Sequence, residues 1–253
     1  MSDETEKLPE GTLISHLLEL RTRLMYASAS VLLAFIPTYW FHNQLFEWLE
    51  RPLLAKLPKG ATLIATNVTD AFTTPLKLAF VVALLIAMPV ALYQIWLFVA
   101  PGLYRREKRF ALPLLISSVV LFYCGAAFAY WLVFPVMFNF FIGALPRGVE
   151  MMADITRYMD SALTLMLAFG LAFEVPVAVV LLVLTGIISV EKLSRSRGYV
   201  VIGIFIVAAI LTPPDAISQT IMALPMWLLF EGGIIFARIM TRKPAEPGSD
   251  KTT

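Results

Sequence analysis

The chain has 253 residues, 59% of them hydrophobic and 15% charged, with a mean hydropathy of +0.79 and a formal net charge of +2. Soluble domains are about 45–50% apolar and about 25% charged, so this composition excludes a water-soluble globule and points to an all-α polytopic membrane protein. The small, scattered basic excess excludes a nucleic-acid surface. The single Cys124, inside the apolar run Leu121 to Trp131, suggests neither a disulfide nor a metal site, and no cofactor motif is present.

The start, Met1 to Glu10, sets Asp3, Glu4, Glu6 and Glu10 against Lys7. It lacks the positive segment and immediate apolar run of a cleavable signal peptide, and is expected to be retained. From Thr12 to Leu24, Leu13, Leu17, Leu20 and Leu24 recur at helical spacing beside Ile14 and Leu18. This predicts an amphipathic helix lying on the headgroup layer before turning into the first span.

Six apolar stretches follow: Leu24 to Phe41, Leu78 to Val99, Ala111 to Phe134, Ser161 to Leu184, Tyr199 to Leu211 and Ala216 to Phe236. The first four are long enough for about 30 Å of hydrocarbon at about 1.5 Å per residue. The fifth reaches only about 20 Å and should thin the bilayer around it. Between the last two, Pro213 and Pro214 end one helix and Asp215 can cap the next. A re-entrant hairpin is the alternative for this pair and leaves both ends of the chain on the same side. The connections Phe41 to Leu76 and Pro135 to Asp160 are too apolar for linkers and predict a packed cap with short helices. The whole is expected to form one transmembrane domain, 1–253, with flexible tails at 1–11 and 241–253.

Lysine and arginine set the orientation. With both ends inside, the inner segments hold Lys7, Arg21, Arg23, Arg105, Arg106, Lys108, Arg109, Lys192, Arg195, Arg197, Arg238, Arg242, Lys243 and Lys251, fourteen of the 20 basic residues. The other side holds Arg51, Lys56, Lys59, Lys77, Arg147 and Arg157, so the positive-inside rule predicts both termini in the cytoplasm of an inner-membrane protein.

Topology explains the basic residues but not three acids. Glu19 lies on the polar side of the amphipathic segment; it either pairs with Arg23 at i,i+4 or faces a cationic visitor. Glu107 sits within the basic loop after Pro101-Gly102, where an acid weakens the retention signal. Glu174, near the middle of the fourth stretch, costs at least about 2.5–3.5 kcal/mol at that depth and must face a partner, water or a cavity. Pro176 adds an unsatisfied carbonyl at the same level. Gln94, Gln219 and Glu231 suit interhelical hydrogen bonds. Pro52, Pro89, Pro101 and Pro176 are structural positions, as are Pro213, Pro214 and Asp215. Pro89, Pro176 and Pro225 are expected to interrupt three spans, giving kinked helices and a concave wall.

These residues carry a resemblance. The segments HLLELRTRL, FVAPGLYRREKR, IATNVTDAFTTPLKLAF, FGLAFEVPV and LTPPDAISQ, in this order along six spans, resemble the TatC family, the polytopic receptor subunit of the bacterial twin-arginine protein translocase. Asn67, in IATNV, departs from an acid more usual in the family and puts in doubt a role for charge there. The resemblance implies a receptor for folded precursors with two consecutive arginines in their signal peptide. Acids matching Glu19 and Glu107 would bind the pair, supported by Arg21, Phe98, Leu103 and Tyr104. Glu174, with Gln94 and Gln219, would face partner transmembrane helices of TatA- and TatB-like single-span subunits. Further copies of the chain and the lipid bilayer complete the implied partners. An ion-coupled transporter built on Glu174 remains the alternative; it lacks internal symmetry and a second acid or histidine in the spans. An intramembrane enzyme lacks the paired groups it would need.

Overall fold

The computed structural model describes residues 10–54, 63–99, 111–143, 152–212 and 216–241. The chain is helical almost throughout these residues and divides into two compact units, Met1–Gly170 and Leu171–Thr253. Among the described residues, four helical stretches are long and apolar enough to cross a membrane: Asp70–Phe98, Ala111–Gly143, Ile155–Leu184 and Ala216–Thr241. A fifth arises if the bent pair Leu17–Trp40 and His42–Arg51 is one span, and Arg197–Leu211 is apolar but short.

In the first unit, α1 (Glu10–Trp40) is a single helix of 31 residues. The turn expected near Leu24 is absent, and the amphipathic segment continues directly into the apolar one. No glycine or proline falls between Thr12 and Ile36, and the Glu19–Arg23 pair supports the helical turn just before the expected joint. The chain bends by 82° only at Phe41, where α2 (His42–Leu54) begins. There follow α3 (Asp70–Val99), α4 (Ala111–Phe128), a π-helical turn (Ala129–Val133), α5 (Phe134–Gly143) and α6 (Ile155–Ala172).

Of the three prolines expected to interrupt spans, Pro89 and Pro225 lie inside continuous helices. α3 runs unbroken through Pro75 and Pro89, and the last helix runs through Pro225. A proline has no amide for the carbonyl four residues before it, and in apolar surroundings that oxygen needs another donor. Pro89 thus frees the Leu85 carbonyl, and the Tyr123 hydroxyl of α4 donates to it at 3.0 Å. Pro52 frees the Trp48 carbonyl; the Tyr130 hydroxyl donates to it at 2.6 Å while the two rings stack at 4.3 Å. Before Pro135 the helix widens instead, and the Phe134 amide reaches back five residues to Ala129.

The expected cap is present, with α2 as its short helix, and contains a strand pair that hydropathy does not reveal. β1 (Leu63–Ile64) and β2 (Ala153–Asp154) pair in parallel, Leu63 with Ala153 and Ile64 with Asp154. The Tyr158 hydroxyl donates to the Leu49 carbonyl at 2.7 Å, and Lys77 meets Asp160 at 2.8 Å. Asp154 caps α6, accepting from the amides of Thr156 and Arg157 at 2.9 and 3.0 Å, and its other oxygen accepts from Thr66. The Thr66 hydroxyl foremost, then the Arg157 and Thr156 amides, hold the Asp154 carboxyl below the usual aspartate range. Asn67, where an acid was the family expectation, donates from its backbone and side-chain amides to Asp70 at 3.0 and 3.3 Å, a geometry a second carboxylate would spoil. Deeper in this unit α6 lies hard against α4: a Cβ on Gly170 would stand 2.6 Å from the Phe122 ring.

In the second unit the fourth apolar stretch is divided at Phe173–Glu174 into the end of α6 and α7 (Val175–Leu184). Pro176 falls in the first turn of α7, where its missing amide is tolerated, and the Glu174 amide turns back to the Leu171 carbonyl at 3.0 Å. Gly186, at φ 72°, ends α7 in the left-handed region that glycine favours. Then come α8 (Val190–Arg195), α9 (Arg197–Leu211) and α10 (Ala216–Thr241). Gly233 of α10 sits on the backbone of α7, since a Cβ there would stand 2.9 Å from the Pro176 Cα.

Tyr123→Phe should lower stability by about 1 kcal/mol in detergent unfolding, because it orphans the Leu85 carbonyl. In a Pro89→Ala background, where residue 89 supplies its own amide, the same change should cost almost nothing. Equal losses in both backgrounds would refute the pairing. For the cap, a depressed Asp154 contributes its stabilisation in full above the ordinary aspartate range and loses it as pH falls through the depressed value. The protection of the Thr156 and Arg157 amides against hydrogen exchange, taken relative to intrinsic exchange at each pH, should fall through that acidic window. Asp154→Asn should remove the pH-dependent step.

Candidate functional site

Two antiparallel helices hold the first group of predicted residues. α1 and α3 are joined at one end by the Thr38 hydroxyl, which donates to the Ala79 carbonyl at 3.0 Å, and at the other by Arg23, which donates to the Gln94 side-chain oxygen at 3.4 Å. Each link lies fifteen residues from the next on both helices, about 22 Å at 1.5 Å per residue, so the two rods run in step. Ala79, Ala83 and Ala87 recur one turn apart on α3, all buried, as expected where helix backbones approach closely.

At the Arg23 end lies a three-residue polar cluster. Arg23 donates from Nη2 to Glu19 Oε1 at 3.1 Å and from Nη1 to Gln94 Oε1 at 3.4 Å. The Arg23 and Glu19 side chains are 28% and 37% exposed, shielded enough to strengthen the pair and open enough to exchange. Of the two sequence readings of Glu19, the i,i+4 pair with Arg23 is therefore formed; Gln94 is a third member that periodicity along one helix does not reveal. Arg21 is exposed, as are the large side chains of Leu17, Leu18, Leu20 and Leu24 on the same stretch of α1. Phe98, one turn beyond Gln94 on α3, is half-buried. Glu107, Leu103, Tyr104 and Pro101 lie outside the described residues, as do Pro213, Pro214 and Asp215.

The cluster offers a partly exposed carboxylate matched to a guanidinium, with one oxygen engaged through a single bond. Such a site binds cations with planar, multiple N–H donors. Among the described residues no group of His, Cys, Asp and Glu is arranged to hold a metal.

The second unit holds Glu174 and Gln219, both half-buried, Glu174 at the α6–α7 break and Gln219 on the first turn of α10. α9 and α10 form a hairpin whose open end is clamped by a two-toothed ion pair: Arg197 Nε donates to Glu231 Oε1 at 2.6 Å and Nη2 to Oε2 at 2.8 Å. Two turns further along α10, Arg238 donates to the Ser194 hydroxyl at 3.4 Å. Glu231, read from sequence only as an interhelical hydrogen bonder, is this clamp. Between the helices an apolar groove of about 300 Å³ is lined by Val201, Phe205, Ala223, Leu224 and Trp227.

Residues 15–225 match the family model of the Sec-independent protein translocase protein TatC. Sec-independent protein translocase protein TatC of Azotobacter chroococcum is 52% identical over 242 residues, covering 95% of this chain and 94% of that protein. The Haemophilus influenzae protein of the same name is 50% identical, covering 97% and 95%, and that of Escherichia coli K12 is 48% identical, covering 91% and 90%. A crystal structure of the twin-arginine translocase receptor TatC superposes with a TM-score of 0.81 at 36% identity, covering 90% of this chain and all of that one.

Proposed function

The chain belongs to the TatC family and is a core membrane component of the twin-arginine protein translocase, a transport component and not an enzyme; from that premise we propose that it is the subunit that reads the arginine pair of signal peptides. In this reading six helices span the inner membrane as one transmembrane domain, with both termini cytoplasmic. Glu19 and Glu107 each receive one arginine of the peptide. Arg21, Phe98, Leu103 and Tyr104 hold the flanking residues.

The observation that carries the proposal is the Glu19 carboxylate already engaged by a guanidinium, that of Arg23 at 3.1 Å, where α1 leaves the apolar layer. Counting back from Trp40, about 20 residues cross about 30 Å of hydrocarbon, which brings the far boundary to Leu20. The cluster is then at headgroup level. There a carboxylate is attracted to guanidinium more strongly than on an open surface, where such pairs are worth about 0–1 kcal/mol. Two fixed acids suit two guanidinium forks and suit the compact charge of lysine poorly.

Glu174 and Gln219 are proposed to face single-span partner subunits of the TatA and TatB kind, with further copies of the chain completing the assembly. A carboxylate at a helix break beside a proline, and an apolar groove on α9 and α10, support a docking role for the second unit. Gln94, also proposed for that set, has its side-chain oxygen accepting from Arg23 of the Glu19 cluster.

Photocrosslinking from positions 19, 107 and 174 to a twin-arginine peptide and to partner subunits tests both halves. Glu19→Gln and Glu107→Gln should each reduce peptide crosslinking about tenfold in protein that still inserts, by loss of a charge-assisted pair worth about 1.5–3 kcal/mol. Unchanged crosslinking removes that residue from the site. Glu19→Arg should be worse than Glu19→Gln, because it adds repulsion. Glu174→Ala should impair partner crosslinking while leaving peptide crosslinking near the wild-type level; the reverse pattern overturns its assignment.

A further inference from the structure

We infer that Arg23 is an internal occupant of the peptide site: its guanidinium sits on the Glu19 carboxylate in the place an incoming arginine must take, and Gln94 holds it there. This rests on the reading of Glu19 as a peptide-arginine acceptor.

Three features of the cluster lead to it. The occupying group is chemically the same as the proposed ligand, a guanidinium on a carboxylate, so occupant and ligand compete for the same lone pairs. The contact is made through one nitrogen and one oxygen, Nη2 to Oε1 at 3.1 Å, whereas a guanidinium arriving in fork geometry gains two parallel bonds. The second donor of Arg23 is spent on Gln94 Oε1 at 3.4 Å, on the facing helix, which fixes the guanidinium over Glu19. An i,i+4 pair that served the helix alone would need no partner on α3.

An internal competitor acts on every ligand of that carboxylate by the same factor. It does not make the site prefer arginine; it sets a floor. Ligands that gain only one ordinary ion pair fall below the working range, while a peptide that also engages a second acid stays above it. Without a peptide, the carboxylate is neutralised and screened from stray cations.

The experiment uses the full chain in lipid nanodiscs and two fluorescent signal-type peptides, identical except for Arg-Arg or Lys-Lys. Arg23→Gln should tighten binding of both by about three- to fivefold, the exchange value of a partly exposed pair near the upper end of its range, and leave their ratio unchanged. Gln94→Leu, which leaves α1 untouched, should shift both the same way but less, and should add nothing in the Arg23→Gln background, because it acts only through Arg23. Weaker or unchanged peptide binding by Arg23→Gln overturns the inference, and so does a Gln94→Leu effect that persists without Arg23. A separate control tells this failure from that of the parent reading: if Glu19→Gln leaves Arg-Arg binding unchanged, Glu19 is not the acceptor and both fall. If Glu19→Gln weakens binding while Arg23→Gln does not tighten it, only the internal occupant is refuted.

Discussion

A helix in hydrocarbon has no water to lend to a carbonyl that has lost its amide, and this chain carries prolines within α1, α2, α3, α5 and α10. Each such proline frees one backbone oxygen that only the protein itself can satisfy. The chain answers with tyrosine hydroxyls from another part of the fold, Tyr123 for Leu85 and Tyr130 for Trp48, and with a π-helical turn ahead of Pro135. The freed oxygens become fixed cross-links. They tie α4 to α3, and the π-helical turn to α2, through bonds whose direction is set, which dispersion between apolar side chains cannot do.

At the α6–α7 junction the helix divides instead. Pro176 and Glu174 make that division in the second unit, and Gly233 lets α10 lie directly on the backbone beside it. The acid at the break, the clamp between Arg197 and Glu231, and the apolar groove thus belong to one short-helix assembly. In the first unit the logic is opposite. α1 is kept whole through the amphipathic segment and the span, and the Glu19 cluster stands at a distance from the cap that the paired rods determine. In the proposed reading, in which the chain binds a peptide at the surface and partners within the apolar layer, the continuous α1 serves the one and the divided helix the other.

Much of this was legible in the residues. The apolar stretches, the cap and the oddity of Glu19 and Glu174 follow from hydropathy and from charges that topology leaves unexplained, and the family from the ordered motifs that resemble it. What was not legible was register. Nothing in a one-dimensional pattern aligns Gln94 with Arg23, or Tyr123 with the carbonyl before Pro89, since apolar helices of similar composition can slide past one another at little change in hydropathy. The helices continue through Pro89 and Pro225, and at Pro89 the freed carbonyl has a donor standing opposite, which the neighbouring sequence does not tell. The turn expected near Leu24 failed because amphipathicity reports which face is wet, not where a helix stops. The strand pair Leu63–Ile64 with Ala153–Asp154 is too short for any periodicity to show.

The unbroken α1 has a consequence for how this protein can vary. A helix keeps angular memory: each residue turns the chain by about 100°. The direction in which Glu19 faces is thus set by every residue between it and the Thr38 anchor. A substitution in that stretch alters packing locally, but an added or lost residue rotates the whole cluster away from Gln94. Between Arg23 and Thr38, then, it is length that must be inherited unchanged, while the identity of most residues is free to drift among apolar choices.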